Sequence, residues 1–190
     1  MSETSATHAP RFDRTAGAIL DAAAHVLSEH SSSKTSMADV AEAAGVSRAT
    51  LYRYFPDREA LLHALAAQAL TEAASRLADA GLDHAPVEEA IERIVRAIVA
   101  VGDRYAVIVR DQVKFEPAEA KRCLGAPMRA VFERGVESGV IRDDISVEVL
   151  LELFGGALQA AIKLTQRGEL GLEDASAATA AVFLDGARAR

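Results

Sequence analysis

Two serines with helix-cap chemistry, Ser36 and Ser47, stand on either side of Gly45, and this short stretch constrains the chain more than any other. A serine hydroxyl satisfies free N–H groups in the first turn of a helix, and glycine accepts the left-handed backbone that ends one. The spacing predicts a short helix over 37–44, a tight turn at Gly45 and a second short helix over 48–54. Val40, Ala41, Val46 and Leu51 are the apolar points that would lock the pair at a steep angle, with Ala41 small enough for a close crossing. Once these are spent on packing, the outer face of the second helix keeps Arg48, Ala49, Thr50, Tyr52, Arg53 and Tyr54. Hydroxyls and a helix N-terminus suit phosphates, and an arginine reaches base edges, so this face suits the major groove of duplex DNA. Other uses compete. Capping alone accounts for Ser36, Ser47 and Asp57, although for the serines it is compatible with a phosphate contact. Tyr52 and Tyr54 have core packing as the alternative, and Arg53 has plain solvated surface.

The rest of the chain repeats its apolar residues at helical spacing and is rich in alanine, so an all-α fold of about nine helices is expected. The first helix spans about 11–29, and the fourth runs from 58 to about 80 behind the cap Asp57. Pro86 suits the first turn of a fifth, which Gly102-Asp103 separates from a short sixth over 103–113. A seventh starts at Pro117 and ends near Ser138-Gly139. An eighth covers about 147–167 and a ninth about 172–187. Three regions follow: a disordered leader (1–10), a helix-turn-helix domain (11–57) whose outer face suits DNA and a C-terminal helical domain (58–190).

Half of the 190 residues are hydrophobic and the net charge is −7, which excludes a uniformly basic nucleic-acid binder but leaves room for a local basic patch. Residues 1–58 carry six basic and seven acidic side chains and so hold only −1 of the total, with Arg48, Arg53 and Arg58 clustered near Asp57. Cys123 is the only cysteine, so an intrachain disulfide is impossible and a reducing compartment fits. No long charge-free apolar window suggests a membrane span, and the polar start lacks an apolar signal core, so a cytoplasmic protein is expected. There is no phosphate loop and no dinucleotide-type glycine pattern. Cys123 has no neighbouring base, and His8, His25, His30, His63 and His84 lack tight metal spacing. No enzyme activity, cofactor or metal is therefore expected. An adaptor with a vestigial helix-turn-helix is the remaining non-enzymatic alternative.

The stretch resembles the TetR family of regulators. The resemblance rests on Thr35-Ser36-Met37, Asp39-Val40-Ala41 and Ala44-Gly45-Val46-Ser47, and continues through Thr50-Leu51-Tyr52, Tyr54-Phe55 and 59–62. It covers roughly residues 15–65; beyond them only helical pattern and length agree, with the run 139–144 similar to the family's connection into its dimer helices. The resemblance implies DNA contacts, largely to phosphates, from Ser36, Ser47, Thr50, Tyr52 and Tyr54, with Arg48 at a base-reading position. It sets Arg58 where the family usually has a lysine, and leaves Arg11 and Arg14 within reach of the backbone or minor groove. Ser31-Ser32-Ser33 and Ala49 depart from common glycines, and the Ala49 methyl would alter base preference rather than the fold.

The resemblance also implies an effector cavity within helices four to eight, and a homodimer on a palindromic double-stranded operator. The polar or adaptable candidates for the cavity are His84, Tyr105, Arg110, Gln112, Phe115, Met128, Phe132 and Gln159. Core packing competes for Tyr105, Met128 and Phe132. An internal salt bridge with Asp103, Asp111 or Glu116 competes for Arg110. Helix eight, with Leu150, Leu151, Phe154, Ala157, Leu158 and Ala161, and helix nine, with Val182, have faces too wide and too rich in small residues for lone surface helices. A four-helix interface with a second copy explains them, with burial of both helices inside a monomer as the alternative.

Overall fold

A computed structural model describes residues 14–29, 35–111, 113–114 and 117–189. The expected leader, Arg11, the serine run 31–33, Gln112, Phe115 and the side chain of Arg110 lie outside the described residues.

Among the described residues nine helices follow one another. They are α1 (Arg14–Glu29), α2 (Met37–Ala43), α3 (Arg48–Tyr54), α4 (Arg58–Asp79), α5 (Val87–Arg104), α6 (Ala106–Arg110), α7, α8 (Val147–Gln166) and α9 (Leu172–Ala187). The seventh, α7, begins as Pro117–Ala120, passes through a π-helical stretch Lys121–Gly125 and continues as Ala126–Glu137. Among the described residues the one β-type pairing is an antiparallel bridge between Ile141 and Arg188. It ties the C-terminus to the α7–α8 connection through Arg142 N–H donating to the Ala187 carbonyl at 2.8 Å.

Two cores organise the helices. The first collects Ile19, Leu20, Ala23 and Leu27 of α1, Val40 and Ala41 of α2, Leu51 of α3 and Leu61, Leu65, Ala69 and Ala73 of α4. It also takes in Val101 and Tyr105 from the end of α5, and Val107 and Ile108 of α6. The second is built on Leu77 of α4, Ile91, Ile94 and Val95 of α5, Phe132 of α7, Phe154, Leu158 and Ile162 of α8, and Leu184 of α9. Phe132, Phe154 and Phe183 meet there with ring centroids 4.7–5.7 Å apart, in the tilted range that aromatic quadrupoles favour. Helix α4 therefore passes from one core to the other between Ala73 and Leu77. Helix α5 does so around Ile98, which packs on both, as does Leu124 of the π-helical stretch. The core of the N-terminal helices does not stop at residue 57.

One expectation is corrected. Gly102 does not break the fifth helix, which runs on to Arg104, and the sixth is confined to Ala106–Arg110. Gly102 serves instead as a point of close approach. A Cβ there would lie 2.6 Å from Ile162 Cγ1 and 2.9 Å from Cγ2, so only glycine lets α8 pack this tightly on α5.

Candidate nucleic-acid interface

The reading head is built by local chemistry. Ser36 Oγ accepts from the Asp39 N–H at 3.3 Å, and the Ser36 N–H donates to Asp39 Oδ2 at 2.7 Å, a complete capping box on α2. Gly45 has φ +65°, the left-handed value that lets the chain reverse, and the Val46 N–H closes back on the Ala41 carbonyl at 3.0 Å. Ser47 Oγ then accepts from the Thr50 N–H at 3.1 Å and sits 2.9 Å from Thr50 Oγ1, so two hydroxyls stand at the start of α3. Val40, Ala41, Leu51 and Phe55 are buried beneath.

This burial fixes which residues of α3 face outward. Arg48, Ala49, Tyr52 and Arg53 are exposed, while Thr50 and Tyr54 are half-buried. Tyr54 packs against the first core and holds the Arg53 guanidinium 5.1 Å from its ring centroid, a cation–π contact that pre-orients the charge. Ser36, Ser47 and, at the start of α1, Arg14 are also exposed. Arg58 is the exception among the expected DNA contacts. Its Nη1 donates to the Thr35 carbonyl at 3.1 Å and its Nη2 to Asp111 Oδ2 at 3.3 Å, so it ties the start of α4 to the entry of α2 and the end of α6.

The described residues among those expected to line an effector cavity are not brought together. His84 is exposed in the turn between α4 and α5, and Gln159 is exposed on α8, so neither enters the interior as expected. Phe132 is fully buried in the aromatic trio, and Met128 is half-buried against the second core. Tyr105 is buried in the first core with its hydroxyl donating to Glu72 Oε2 at 3.1 Å. Burial, reinforced by the Glu72 carboxylate, pushes the Tyr105 hydroxyl up to about 12 against the opposing charge of Arg104. Burial also works to raise the Glu72 carboxyl, but Arg76, Arg104 and Tyr105 outweigh it and hold Glu72 below the usual carboxylate range.

The face expected to dimerise lies largely in the interior of the protomer. Leu150, Phe154, Leu158 and Ala161 are already buried inside the protomer, and Leu151 and Ala157 are half-buried. The outward stripe of α8 is Val149, Leu153, Ala157, Ala160 and Leu164, at helical spacing beside the buried one. Leu153 is 57% exposed, and Val182 on α9 is 76% exposed. Between α8 and α9 this face carries an apolar groove of about 440 Å³ walled by Leu153, Ala157, Val182 and Phe183. The second stripe, which contains Val149 and Leu153, is visible in the sequence beside the first. Among the described residues no helix is long and apolar enough to cross a membrane.

Comparison with known proteins agrees with this layout. Residues 19–65, the segment from α1 into α4, match the family described as bacterial regulatory proteins, tetR family. The HTH-type transcriptional repressor LfrR of Mycolicibacterium smegmatis is 42% identical over 178 aligned residues, covering 77% of this chain and 92% of the relative. The HTH-type transcriptional regulator NfxB of Pseudomonas aeruginosa is 28% identical, covering 81% and 85%. The crystal structure of LfrR from Mycobacterium smegmatis in complex with proflavine superposes with a TM-score of 0.74 at 26% identity, over 92% of this chain and 97% of that one. A capped helix-turn-helix seated on a two-core helical body, and a repressor relative aligned along nearly its whole length, lead to one assignment: the chain belongs to the TetR family of bacterial regulatory proteins.

Proposed function

We propose that the protein is a transcriptional repressor that binds a pseudo-palindromic duplex operator as a homodimer and leaves it when a small-molecule effector binds. The observation that carries this reading is α3. Its exposed Arg48, Ala49, Tyr52 and Arg53 project from a helix whose caps and buried face leave it no other packing role. Arg48 would read base edges, and Ser36, Ser47, Thr50, Tyr52, Arg53 and Tyr54 would hold phosphates, with Arg14 at the margin. One short helix reads few base pairs, so a two-fold pair on two half-sites is the geometry that gives specificity. The unpartnered stripe of Leu153 and Val182 supports such a pair.

Effector binding is supported by the proflavine complex of LfrR, and proflavine is the probe we would use first. An effector taken up within α4–α8 would tilt α4. That helix contributes to both cores, so a tilt at Leu77 reaches Leu61 and Leu65 beneath the reading head. The half-site separation then no longer fits. A coupling free energy of about 1–3 kcal/mol is enough for such release.

The test is electrophoretic. The full chain should retard a genomic fragment, and Arg48→Ala with Tyr52→Ala should abolish the shift. The lost Arg48 base contact costs about 1–3 kcal/mol in each half-site, and loss of the Tyr52 phosphate contact adds to it. The melting temperature should barely move, because both side chains are exposed. Wild-type protein that leaves every genomic fragment unshifted would sink the reading.

A further inference from the structure

We propose that Asp21, Glu72, Arg104 and Tyr105 form a latch that sets the angle of the reading head on the C-terminal body, with Arg104 as its positioning residue. Three helices meet at this latch. Arg104, the last residue of α5, donates through Nη2 to Asp21 Oδ1 of α1 at 3.0 Å and through Nη1 to Glu72 Oε2 of α4 at 3.0 Å. Tyr105 adds its hydroxyl to the same Glu72 oxygen at 3.1 Å. The other oxygen, Oε1, takes Arg76 from one turn further along α4 at 2.9 and 3.1 Å. Gln68 of α4 donates to Asp21 Oδ1 at 3.0 Å. Two carboxylates and two guanidinium groups thus close a set with no net charge.

Its position is what gives the latch a role. Glu72 lies beside Ala73, where α4 leaves the first core, and Arg104 lies just past Val101, where α5 has entered it. Asp21 belongs to α1, which packs on α2 and so moves with the head. The latch therefore spans the joint between head and body. Arg104 is pre-oriented for this, its guanidinium 5.4 Å from the centroid of the buried Tyr105 ring. The side chains of Asp21 and Arg104 are 57% and 47% exposed, against 20% for Glu72. Exposed ion pairs contribute little to holding a fold together. A contribution too small to matter for folding is nevertheless enough to bias the angle of a joint, because allosteric couplings begin at about fivefold in affinity. Holding the head at one angle before DNA arrives removes part of the ordering cost of binding, and a loosened head must meet that cost on the operator.

The inference rests on the DNA-binding reading above. The full-length protein would first select duplexes from a random-sequence pool. Affinity would then be measured for the selected duplex and for two derivatives whose half-sites stand one base pair closer or farther apart. For Arg104→Gln we expect affinity for the selected duplex to fall about fivefold and the preference among the three spacings to flatten, with the melting temperature nearly unchanged. Tyr105→Phe should act in the same direction but less. Arg104→Lys should recover part of the preference, since an ammonium meets the two carboxylates less well than the guanidinium fork. Wild-type affinity and wild-type spacing preference in Arg104→Gln would overturn the latch. So would an affinity loss equal at all spacings that tracks a loss of thermal stability. A wild-type protein that selects no duplex would overturn the DNA reading itself.

Discussion

Gly102 offers a sharp test of how the body is packed. Alanine in place of a helical glycine normally stabilises by about 0.5–1 kcal/mol, through lower backbone entropy in the unfolded chain. Here the added methyl would meet Ile162 at three atoms, Cγ1 at 2.6 Å, Cγ2 at 2.9 Å and Cδ1 closer still. Both branches of a β-branched side chain are involved, so turning one torsion does not clear the site, and Ile162 is itself buried. Overpacking of this kind costs about 1–3 kcal/mol. The balance for Gly102→Ala is then a loss of about 1 kcal/mol, or roughly 2–4 °C in a chain of this size. Ile162→Ala removes all three clashing atoms at a cost of about 2–5 kcal/mol. On that background Gly102→Ala should reverse sign and stabilise by about 0.5–1 kcal/mol, because only the helical gain remains and the methyl fills part of the cavity. Urea unfolding of the four proteins, followed by circular dichroism at one protomer concentration, reads both effects. The same sign for Gly102→Ala in both backgrounds would refute the close approach of α5 and α8.

Three further outcomes follow from the same geometry. Leu153→Glu with Val182→Glu should give a folded monomer by light scattering. Four apolar side chains leave the two-fold contact, at least about 6 kcal/mol or roughly four decades in dissociation constant, whereas Leu150→Glu, buried inside the protomer, should unfold it. Among the described residues Arg14, Arg48 and Arg53 are the exposed arginines of the head, so their share of the log–log salt slope of operator affinity should be no steeper than about −5. Arg53→Gln should reduce that steepness by about 2, and Arg58→Gln, bound to Thr35 and Asp111, should not; an equal effect from Arg58→Gln would return it to the DNA face. Finally, the folded state holds the Tyr105 proton up to about 12, above the ordinary 10.0 of an unfolded tyrosine, so its contribution is intact below pH 10 and is lost as pH rises toward 12. Urea midpoints across that range should fall more steeply in the wild type than in Tyr105→Phe, and parallel curves would contradict the raised value.

The head was legible because its determinants are local. Capping hydroxyls, a left-handed glycine and a buried Leu51 act over a few residues, and each leaves a trace at a fixed offset in the sequence. The features that a local reading does not reach all depend on a distant partner. Arg58 finds Thr35 and Asp111, 23 and 53 positions away, and nothing in its own surroundings announces them. A glycine at 102 reads equally as a helix break or a close approach until Ile162 is opposite it. On α8, two apolar stripes share one period and differ by a single position, so periodicity establishes that the helix has two apolar sides without saying which faces inward. The π-helical stretch over Lys121–Gly125 is composed of residues that any α-helix accepts, and its effect, placing Leu124 against both cores, is a matter of tertiary packing.

That shared packing bears on how a signal could reach DNA at all. If the head had a core of its own, closed at residue 57, the body could move beneath it without consequence, and a flexible joint would absorb any effector-induced shift. Instead Val101, Tyr105, Val107 and Ile108, from elements of the body, are buried among α1, α2 and α4, and interiors packed at this density do not deform continuously. A displacement of α5 or α6 by the width of a methyl group must either be refused or be passed on to Leu61 and Leu65 beneath the helix-turn-helix. The Arg58 tie at the end of α6 and the Arg104 latch at its start restrict the ways in which it can be passed on. A joint constrained at both ends of one short helix favours a rotation of the whole head over local repacking. In the proposed dimer such a rotation would change the distance between the two recognition helices while leaving each one intact.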